Sequence, residues 1–543
     1  MGNIKIKPVT LQPIYAILWT EISIGTKIYL YRDENLFTSG RKFICIGTEI
    51  YLYQDENLMA ETTLKQKTAK GLFWGGFGSA AQQVIGLGFG IYFARMLTPS
   101  DYGMIGLLSI FSGIAGTLVN AGFSTALINR RNVTHRDYNA VFWFSFSMSL
   151  FLYIVLFFAS PLIAAFFKKP ELTALSRVMF LSFCFGGAGM VSYTILFRQL
   201  KTKQLATIEA TSLLVACFIG MTLVMNGFTY WAIAIQSIIY ISLAVVLRMI
   251  VARWTPTLHF DFSPLKEMLP FSVKLLFTGI FAQINANVFS VLLGKFYSIT
   301  DVGNYSQGQK WMSMGHAFIN TMISYVTQPV LAQVNDERNR QIKVLRKLIR
   351  FGAFVSFPMM LGLAFAGREF IVIAIGEKWL PAVPFLQLFC VWGAAGFLWT
   401  LYTNLICTQG KSNIHMYVSI TVGLLQLTVV LSLYPLGIYP MVAGYIFMYF
   451  TGLLIWHYFA NKLIGLRLRE VLSDTLPYLG ISLVCFGITR LLTANVHNIY
   501  LLFTLKIMIS GLLYVAILRI SKSVIFRECV EFFNAAAKQQ VGK

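Results

Sequence analysis

About fourteen long apolar segments, separated by short polar loops, make up most of this 543-residue chain. A helix needs about 20 mainly apolar residues to cross a bilayer, and most of the segments reach that length. We therefore predict an all-α polytopic membrane protein with about 14 transmembrane helices. The predicted spans cover residues 72–94, 103–126, 140–166, 175–197, 205–226, 229–250, 271–294, 312–333, 351–374, 383–407, 415–434, 437–460, 475–492 and 499–518.

Loops rich in basic residues alternate with poorer ones along the chain. The loops after even-numbered spans are rich in Lys and Arg and contain Arg130, Arg131, Arg136, Arg198, Lys201, Lys203, Arg248, Arg253, Lys266, the run 338–350, Lys411, Lys462, Arg467 and Arg469. The opposite loops share a thinner set, namely Lys168, Lys169, Lys295, Lys310, Arg368, Lys378 and Arg490. Because loops rich in Lys and Arg stay in the cytoplasm, both ends of the chain are predicted to lie there, an N-in/C-in topology.

The composition excludes several other classes of protein. With 57% hydrophobic and 12% charged residues, the chain is not an ordinary soluble domain. Much of its net charge of +22 sits in predicted cytoplasmic loops, where anionic headgroups explain it, so membrane lipids are expected partners and nucleic acid is not. The sequence has no phosphate-binding loop, no metalloprotease motif and no nucleophile elbow, and its six histidines are isolated. We therefore predict a transporter without cofactor or metal, not an enzyme.

Residues 1–58 are a different kind of sequence. Residues 24–37 read IGTKIYLYRDENLF and residues 46–59 read IGTEIYLYQDENLM, a near-identical repeat. One interpretation is a small β-rich extension with two similar strands, because both copies alternate Ile, Tyr and Leu before a polar turn. The other, which we favour, is a mis-assigned start, since Met59 is followed by a polar stretch and then directly by the first span.

An internal repeat divides the predicted spans into two lobes. An offset of 200 residues matches Gln83 with Gln283, Arg95 with Lys295, Ser100 with Thr300, Asp101 with Asp301 and Gly103 with Gly303. Because each copy has an even number of spans, the copies are parallel, as in transporters that rock two bundles about a central site. The two aspartates are expected to cap the helices that follow them. The predicted organisation is an N-lobe at 59–250, a cytoplasmic linker at 251–270, a C-lobe at 271–462, two appended spans at 463–520 and a cytoplasmic tail at 521–543.

Polar side chains inside the spans are the candidate substrate contacts, because a polar group in a bilayer is costly unless it faces a cavity or a partner helix. The amide candidates are Gln82 and Gln83 in span 1, Asn120 in span 2, and Gln283, Asn285 and Asn287 in span 7. Lys274, Thr278 and Asn285 share one face of span 7, which we expect to point into the central cavity. Interhelical hydrogen bonding is the alternative role for the amides.

The few ionisable groups predicted deep in the membrane are cations. Lys506 in span 14 is the deepest, whereas Lys274 lies one turn inside the cytoplasmic end of span 7 and has snorkelling as its alternative role. Arg95 and Lys295 lie near the outer interface, where they can contact substrate or anchor lipid phosphate. No Asp or Glu falls in the middle of a predicted span. Cations without carboxylates predict an anionic cargo, whose export the membrane potential assists by about 2.3 kcal/mol per charge for each 100 mV.

Five short segments carry a resemblance to a known family. They are ARMLTPSDYG at 94–103, AGFSTALI at 121–128, Phe142-Trp143, GKFY at 294–297 and DVGNYS at 301–306. Together with the predicted spans and the six-plus-six repeat, they make the chain resemble the Wzx-type polysaccharide flippases, in the polysaccharide transporter branch of the multidrug/oligosaccharidyl-lipid/polysaccharide superfamily.

The resemblance implies a flippase of the bacterial inner membrane that works by alternating access. Its cargo would be an anionic polyprenyl-diphosphate-linked oligosaccharide, moved to the periplasm for lipopolysaccharide, capsule or exopolysaccharide assembly, with a polysaccharide polymerase as a candidate partner. In related flippases cavity cations hold the diphosphate and the lipid tail runs along spans 13 and 14. The resemblance thus gives Lys274 and Lys506 the phosphate role and the amides the sugar hydroxyls.

Two other classes compete with this interpretation. A cation-coupled multidrug extruder of the same superfamily would need a buried carboxylate, which the predicted spans do not show. A membrane-embedded glycosyltransferase or polymerase would be expected to have a large outer loop or a clustered acidic motif, and the predicted outer loops are short.

Overall fold

The computed structural model describes residues 17–20, 28–31, 41–46, 49–54, 56–130, 132–258, 261–333, 337–528 and 531. Contacts divide the chain into two units, residues 1–75 and 76–543, and each is described by itself. In the first unit, four antiparallel strands pair in chain order as β1 (Ile17–Thr20), β2 (Ile28–Tyr31), β3 (Arg41–Ile46) and β4 (Glu49–Gln54). The Ile-Tyr-Leu-Tyr runs of the two repeat copies lie in β2 and β4, so each copy contributes a strand that pairs with β3.

Sixteen α-helices follow in the described residues. They are α1 (Glu56–Met96), α2 (Pro99–Asn120), α3 (Phe123–Asn129), α4 (His135–Phe166), α5 (Glu171–Arg198), α6 (Thr202–Met225), α7 (Thr229–Ala252), α8 (Ser263–Phe296), α9 (Ile299–Gln333), α10 (Arg338–Phe365), α11 (Gly367–Ile375), α12 (Val383–Thr408), α13 (Ser412–Leu433), α14 (Ile438–Ile464), α15 (Leu468–Leu492) and α16 (Ile499–Ile520). Two 3-10 helices, Glu377–Ala382 and Tyr434–Leu436, precede α12 and α14.

Twelve spans in the described part of the chain are long and apolar enough to cross a membrane, and they coincide with predicted spans 2–7 and 9–14. The prediction of a helical polytopic membrane protein is therefore confirmed. Predicted spans 72–94 and 312–333 lie in α1 and α9, which are helical but fall outside the twelve. The count of fourteen spans and the N-in/C-in topology stay predictions.

Local capping explains where two repeat-related helices begin. At the start of α2 the Thr98 backbone N–H donates to Asp101 Oδ2 at 2.8 Å, and the Asp101 N–H donates back to the Thr98 hydroxyl at 3.3 Å. The start of α9 has the same arrangement, with Ser298 donating its backbone N–H to Asp301 Oδ2 at 3.1 Å. The expectation that both aspartates are helix caps is confirmed, because each satisfies N–H groups that no helical carbonyl can reach.

We call α1–α7 the N-half and α8–α14 the C-half. Helix α2 of the N-half packs against α8 and α9 of the C-half. Where the halves meet, Gly103 lies against the backbone of Ile299, and Gly303 lies against the backbone of Pro99. A Cβ atom at either glycine would collide with the facing carbonyl oxygen. The two glycines that the offset of 200 residues aligns therefore make matching close contacts between the two halves.

Helices α15 and α16 follow the two halves and pack beside the C-half. Helix α15 contacts α10 and α16. Arg346 of α10 donates from Nε to Asp474 Oδ2 at 2.7 Å and from Nη1 to Glu470 Oε1 at 3.0 Å. Since Asp474 is buried, this ion pair is shielded from solvent on the carboxylate side. It joins α15 to α10 of the C-half.

Candidate functional site

Lys310 extends from α9 of the C-half toward three helices of the N-half. Its Nζ atom lies 5.6 Å from the centre of the Tyr102 ring of α2 and 5.7 Å from that of its neighbour Trp311. A Cβ atom on Gly90 of α1 would lie 3.2 Å from Nζ, so the glycine gives the ammonium group room beside α1. The Cys217 thiol of α6 is a further electrostatic neighbour. A cation of one half thus sits among helices of the other.

No carboxylate within the described residues forms an ion pair with Lys310; its ammonium group interacts with two aromatic rings and with the Cys217 thiol. A cation over an aromatic ring is stabilised by about 0.5–2 kcal/mol. Neutral amides lie beside these neighbours of Lys310: Gln236 Nε2 donates to Cys217 Sγ at 3.2 Å, and the fully buried Gln307 side chain lies beside Tyr102. An unpaired cation with neutral polar neighbours is suited to bind an anion.

Two of the three amides of α8 form hydrogen bonds to neighbouring helices, and the third, Gln283, is bonded to Asn287 of the same helix. Asn287 Nδ2 donates to the backbone oxygen of Gln283 at 2.9 Å, and Asn287 Oδ1 accepts from the Ser109 hydroxyl of α2 at 2.9 Å. Asn285 instead donates to Gln426 Oε1 of α13 at 3.0 Å, inside the C-half. Asn285 and Asn287 thus have the interhelical hydrogen bonds proposed as the alternative to substrate contact. Their role toward a substrate stays a prediction.

The remaining amide candidates, Gln82, Gln83 and Asn120, lie in α1 and α2, and Lys274 lies in α8. In α1, Gln82 is half-buried and Gln83 is exposed. Asn120, the last residue of α2, is exposed. Lys274 lies in α8, and its side chain is outside the described residues. No described contact joins Gln82, Gln83 or Asn120 to Lys310, and the roles of these amides and of Lys274 stay predictions.

Lys506 is paired with Glu369, a carboxylate near the end of predicted span 9 that the sequence analysis did not single out. Its Nζ atom donates to Glu369 Oε1 at 2.9 Å and to the backbone oxygen of Phe365 at 3.3 Å. The side chains of Lys506 and Glu369 are only 14% and 7% exposed. The charge of Lys506 is therefore balanced by a buried carboxylate, and its role toward a phosphate stays a prediction.

An apolar pocket of about 450 Å³ opens beside this ion pair. Residues of α10, α15 and α16 line it, among them Met359, Phe486 and Ile507. Lys506 lines the same pocket. Because the charge of Lys506 is balanced by Glu369, the pocket suits a hydrocarbon better than a highly charged group.

Arg95 and Lys295, which the repeat aligns, each reach a helix end in the opposite half. Arg95 donates from Nε to the Ala374 carbonyl at 2.7 Å and from Nη2 to the Ile373 carbonyl at 2.6 Å, both at the end of α11. Lys295 donates to the Phe166 carbonyl at 3.0 Å, at the end of α4. The carbonyls at a helix C-terminus carry partial negative charge, so a cation there is favourable.

Two further contacts join the same ends of the halves. Trp379 Nε1 donates to the Ala94 carbonyl at 2.7 Å, and Lys378 Nζ donates to the Arg95 carbonyl at 2.6 Å. Trp379 is completely buried. We call the bonds made by Arg95, Lys295, Lys378 and Trp379 to carbonyls of the opposite half the cross-half latch. Arg95 and Lys295 therefore have protein partners, and a role in binding substrate stays a prediction.

Sequence reasoning missed Lys310 and Glu369 for identifiable reasons. Lys310 was assigned to a loop because the apolar window of span 8 begins at residue 312, whereas α9 already begins at Ile299. The cap predicted at Asp301 already indicated this earlier start, but the span itself was bounded by its apolar window. Glu369 lies near the end of predicted span 9 and so was not counted among carboxylates in the middle of a span; in the structure α10 ends at Phe365, and the separate helix α11 contains Glu369.

Comparison with known proteins decides the family. Residues 92–384, more than half of the chain, match the family described as polysaccharide biosynthesis protein. The chain belongs to this family. The resemblance proposed from the sequence segments is thereby confirmed.

The chain is similar to other proteins over much of its length. It is 23% identical over 485 residues to an uncharacterised membrane protein in the cps region of Klebsiella pneumoniae, and the alignment covers 87% of this chain and 99% of that protein. It is 24% identical to the lipopolysaccharide biosynthesis protein WzxC of Escherichia coli, over 61% of this chain and 68% of that protein. Among solved structures, the lipid II flippase MurJ in an inward closed conformation superposes with a TM-score of 0.69, at 16% identity, over 84% of this chain and 99% of that one. This likeness supports the fold.

Proposed function

We propose that this chain is a transporter that moves a polyprenyl-diphosphate-linked oligosaccharide from the cytoplasmic to the periplasmic face of the bacterial inner membrane. The cargo would serve lipopolysaccharide, capsule or exopolysaccharide assembly. Family membership supports the link to polysaccharides. The observation that carries the proposal is the Lys310 ammonium group, which lies between the two halves and has no ion-pair partner in the described part of the chain.

The diphosphate of the cargo would bind Lys310. A hydrogen bond to a charged group contributes about 1.5–3 kcal/mol, and a diphosphate oxygen would provide Lys310 with the anionic partner that no described residue provides. The Gln236 and Gln307 amides and the Tyr102 hydroxyl offer hydrogen bonds of the kind that sugar hydroxyls need. Because these groups belong to both halves, binding would depend on how the halves are arranged.

The polyprenyl tail would occupy the pocket along α10, α15 and α16. Its lining is almost entirely apolar, and its volume of about 450 Å³ is large enough for several isoprene units. Pairing of Lys506 with Glu369 leaves this pocket without net charge. In this proposal Lys310 would bind the diphosphate, a role that the sequence analysis gave to Lys274 and Lys506. Lys506 would instead border the lipid tail.

Movement of the two halves as lobes would expose the site to one membrane face and then the other. The repeat, the close contacts at Gly103 and Gly303, and the cross-half latch all suit a pair of bundles that rock about a central site. With N-in/C-in topology the latch lies on the periplasmic side, so its closure corresponds to a site closed toward the periplasm. Spans 13 and 14 follow the C-lobe. A polysaccharide polymerase would receive the lipid-linked oligosaccharide after transport.

Deletion of the gene in the encoding organism tests this function. We expect the lipid-linked oligosaccharide to accumulate on the inner face of the membrane while surface polysaccharide disappears, because synthesis continues after transport stops. A gene copy on a plasmid should restore both. Normal surface polysaccharide combined with increased sensitivity to organic cations would favour a multidrug extruder and contradict the proposal.

A further inference from the structure

Helix α11 connects the Lys506 pocket to the cross-half latch. Its first turn contains Glu369, which pairs with Lys506 of α16, and its last turn contains Ile373 and Ala374, whose carbonyls accept from Arg95 of the N-half. Ile373 lies four residues after Glu369, which is about one helical turn. A displacement of the carboxylate would therefore move the carbonyls that Arg95 holds.

The Glu369–Lys506 pair is placed to fix α11. Helix α11 has nine residues and is separated from α10 by a break at Ala366, so the longer helix does not dictate its position. Glu369 is 5% exposed, Oε1 accepts from Lys506, and Oε2 has no hydrogen-bond partner among the described residues. Removing one member of a buried ion pair leaves the other charge uncompensated, so the carboxylate is strongly held at Lys506.

We propose that Glu369 is a positioning residue for transport: by pairing with Lys506 it holds α11 where Ile373 and Ala374 meet Arg95, and so stabilises the closed cross-half latch. Loss of the pair loosens α11 and shifts the halves toward separation at this end. The proposal deepens the proposed function, because it gives the appended helix α16 a part in opening and closing the site. An anionic group that reached Lys506 from the pocket would compete with Glu369 and have the same effect.

The distance between the halves tests the proposal on the purified full-length chain in lipid nanodiscs, without cargo. Nitroxide labels are placed on cysteines introduced at Ser100 of the N-half and Leu436 of the C-half, both exposed, with the native cysteines replaced. The Tyr297 hydroxyl donates to the Tyr434 carbonyl, which puts Leu436 beside the α8–α9 turn and at the same end as the latch. We expect Glu369→Gln to raise the ratio of long to short distances about tenfold, a typical coupling between sites.

Glu209→Gln is the matched control. Glu209 pairs with Arg248 inside the N-half, and its side chain is 15% exposed, but it does not belong to α11. It should leave the distances unchanged. If Glu369→Gln does not fold, the uncharged pair Glu369→Gln with Lys506→Met removes the interaction without leaving a buried charge and should give the same shift.

A double-mutant cycle separates positioning from general stabilisation. If Glu369 acts through the latch, adding Glu369→Gln to Arg95→Met should change the distance ratio less than about twofold, because Arg95 no longer holds α11. An undiminished tenfold shift in that background, or unchanged distances in the single variant, would overturn the proposal. Since no cargo is present, this result is independent of the deletion experiment that tests the function.

Discussion

Replacing Lys310 by Met should lower export of the lipid-linked oligosaccharide about tenfold to a hundredfold while leaving the protein in the membrane. The expected loss corresponds to one hydrogen bond to a charged group, about 1.5–3 kcal/mol. Folding should be little affected, because Lys310 has no ion-pair partner in the described residues that would be left uncompensated. Surface polysaccharide, measured against the amount of transporter in the membrane, gives the result.

Lys310→Arg is the conservative comparison, since it keeps the positive charge and should retain most of the export. Lys411→Met is a matched control, because it removes a cation from an exposed turn between α12 and α13. It should leave export unchanged. Full export by Lys310→Met would show that the ammonium group does not contact cargo. Equal losses in the Met and Arg variants would point to packing instead of charge.

Substituting Ala at both Gly103 and Gly303 should abolish closure of the two halves at the latch end. Each new Cβ atom would collide with a backbone carbonyl of the opposite half, at Ile299 and Pro99. A backbone atom cannot move aside as the end of a flexible side chain can, so the halves must separate. Close packing of helices in a membrane depends on small residues in this way.

Labelling of an introduced cysteine measures this separation. A cysteine replacing Ile299 should become reactive in the double variant and stay protected in the parent, because Ile299 is buried. Gly116→Ala is the control on α2, since a Cβ atom there meets nothing within 4 Å. Protection of the cysteine in the double variant would mean that the contact is not required for closure. Export should fall with separation, because a transporter held open at one end cannot alternate.

The fold followed from the sequence because long apolar segments and basic loops reflect the physics of the bilayer directly. Twelve of the predicted spans coincide with long apolar helices, and the caps at Asp101 and Asp301 are present. Spans 1 and 8 were harder to define because polar residues interrupt them. In span 8 this polarity is informative, since α9 extends beyond the apolar window to include Lys310.

The candidate site was less predictable because the partners of a residue depend on tertiary packing. Lys506 was chosen for its depth, but nothing in the sequence near it indicates that Glu369, 137 residues away, neutralises it. The match of Arg95 with Lys295 was correct as a repeat, yet only the structure shows that both reach carbonyls of the opposite half. Periodicity placed Asn285 on a helix face, but only the structure shows that Asn285 is hydrogen-bonded to Gln426 of α13.

The most direct test of the account is the movement of the cargo lipid across vesicles that contain the purified chain. The substrate is the polyprenyl-diphosphate-linked oligosaccharide extracted from the deletion strain, and the measurement is its accessibility to a glycosidase added outside. The account predicts that the wild-type chain moves the lipid between leaflets much faster than protein-free vesicles or vesicles with Lys310→Met. Movement no faster than in protein-free vesicles, by a correctly folded and inserted chain, would contradict it.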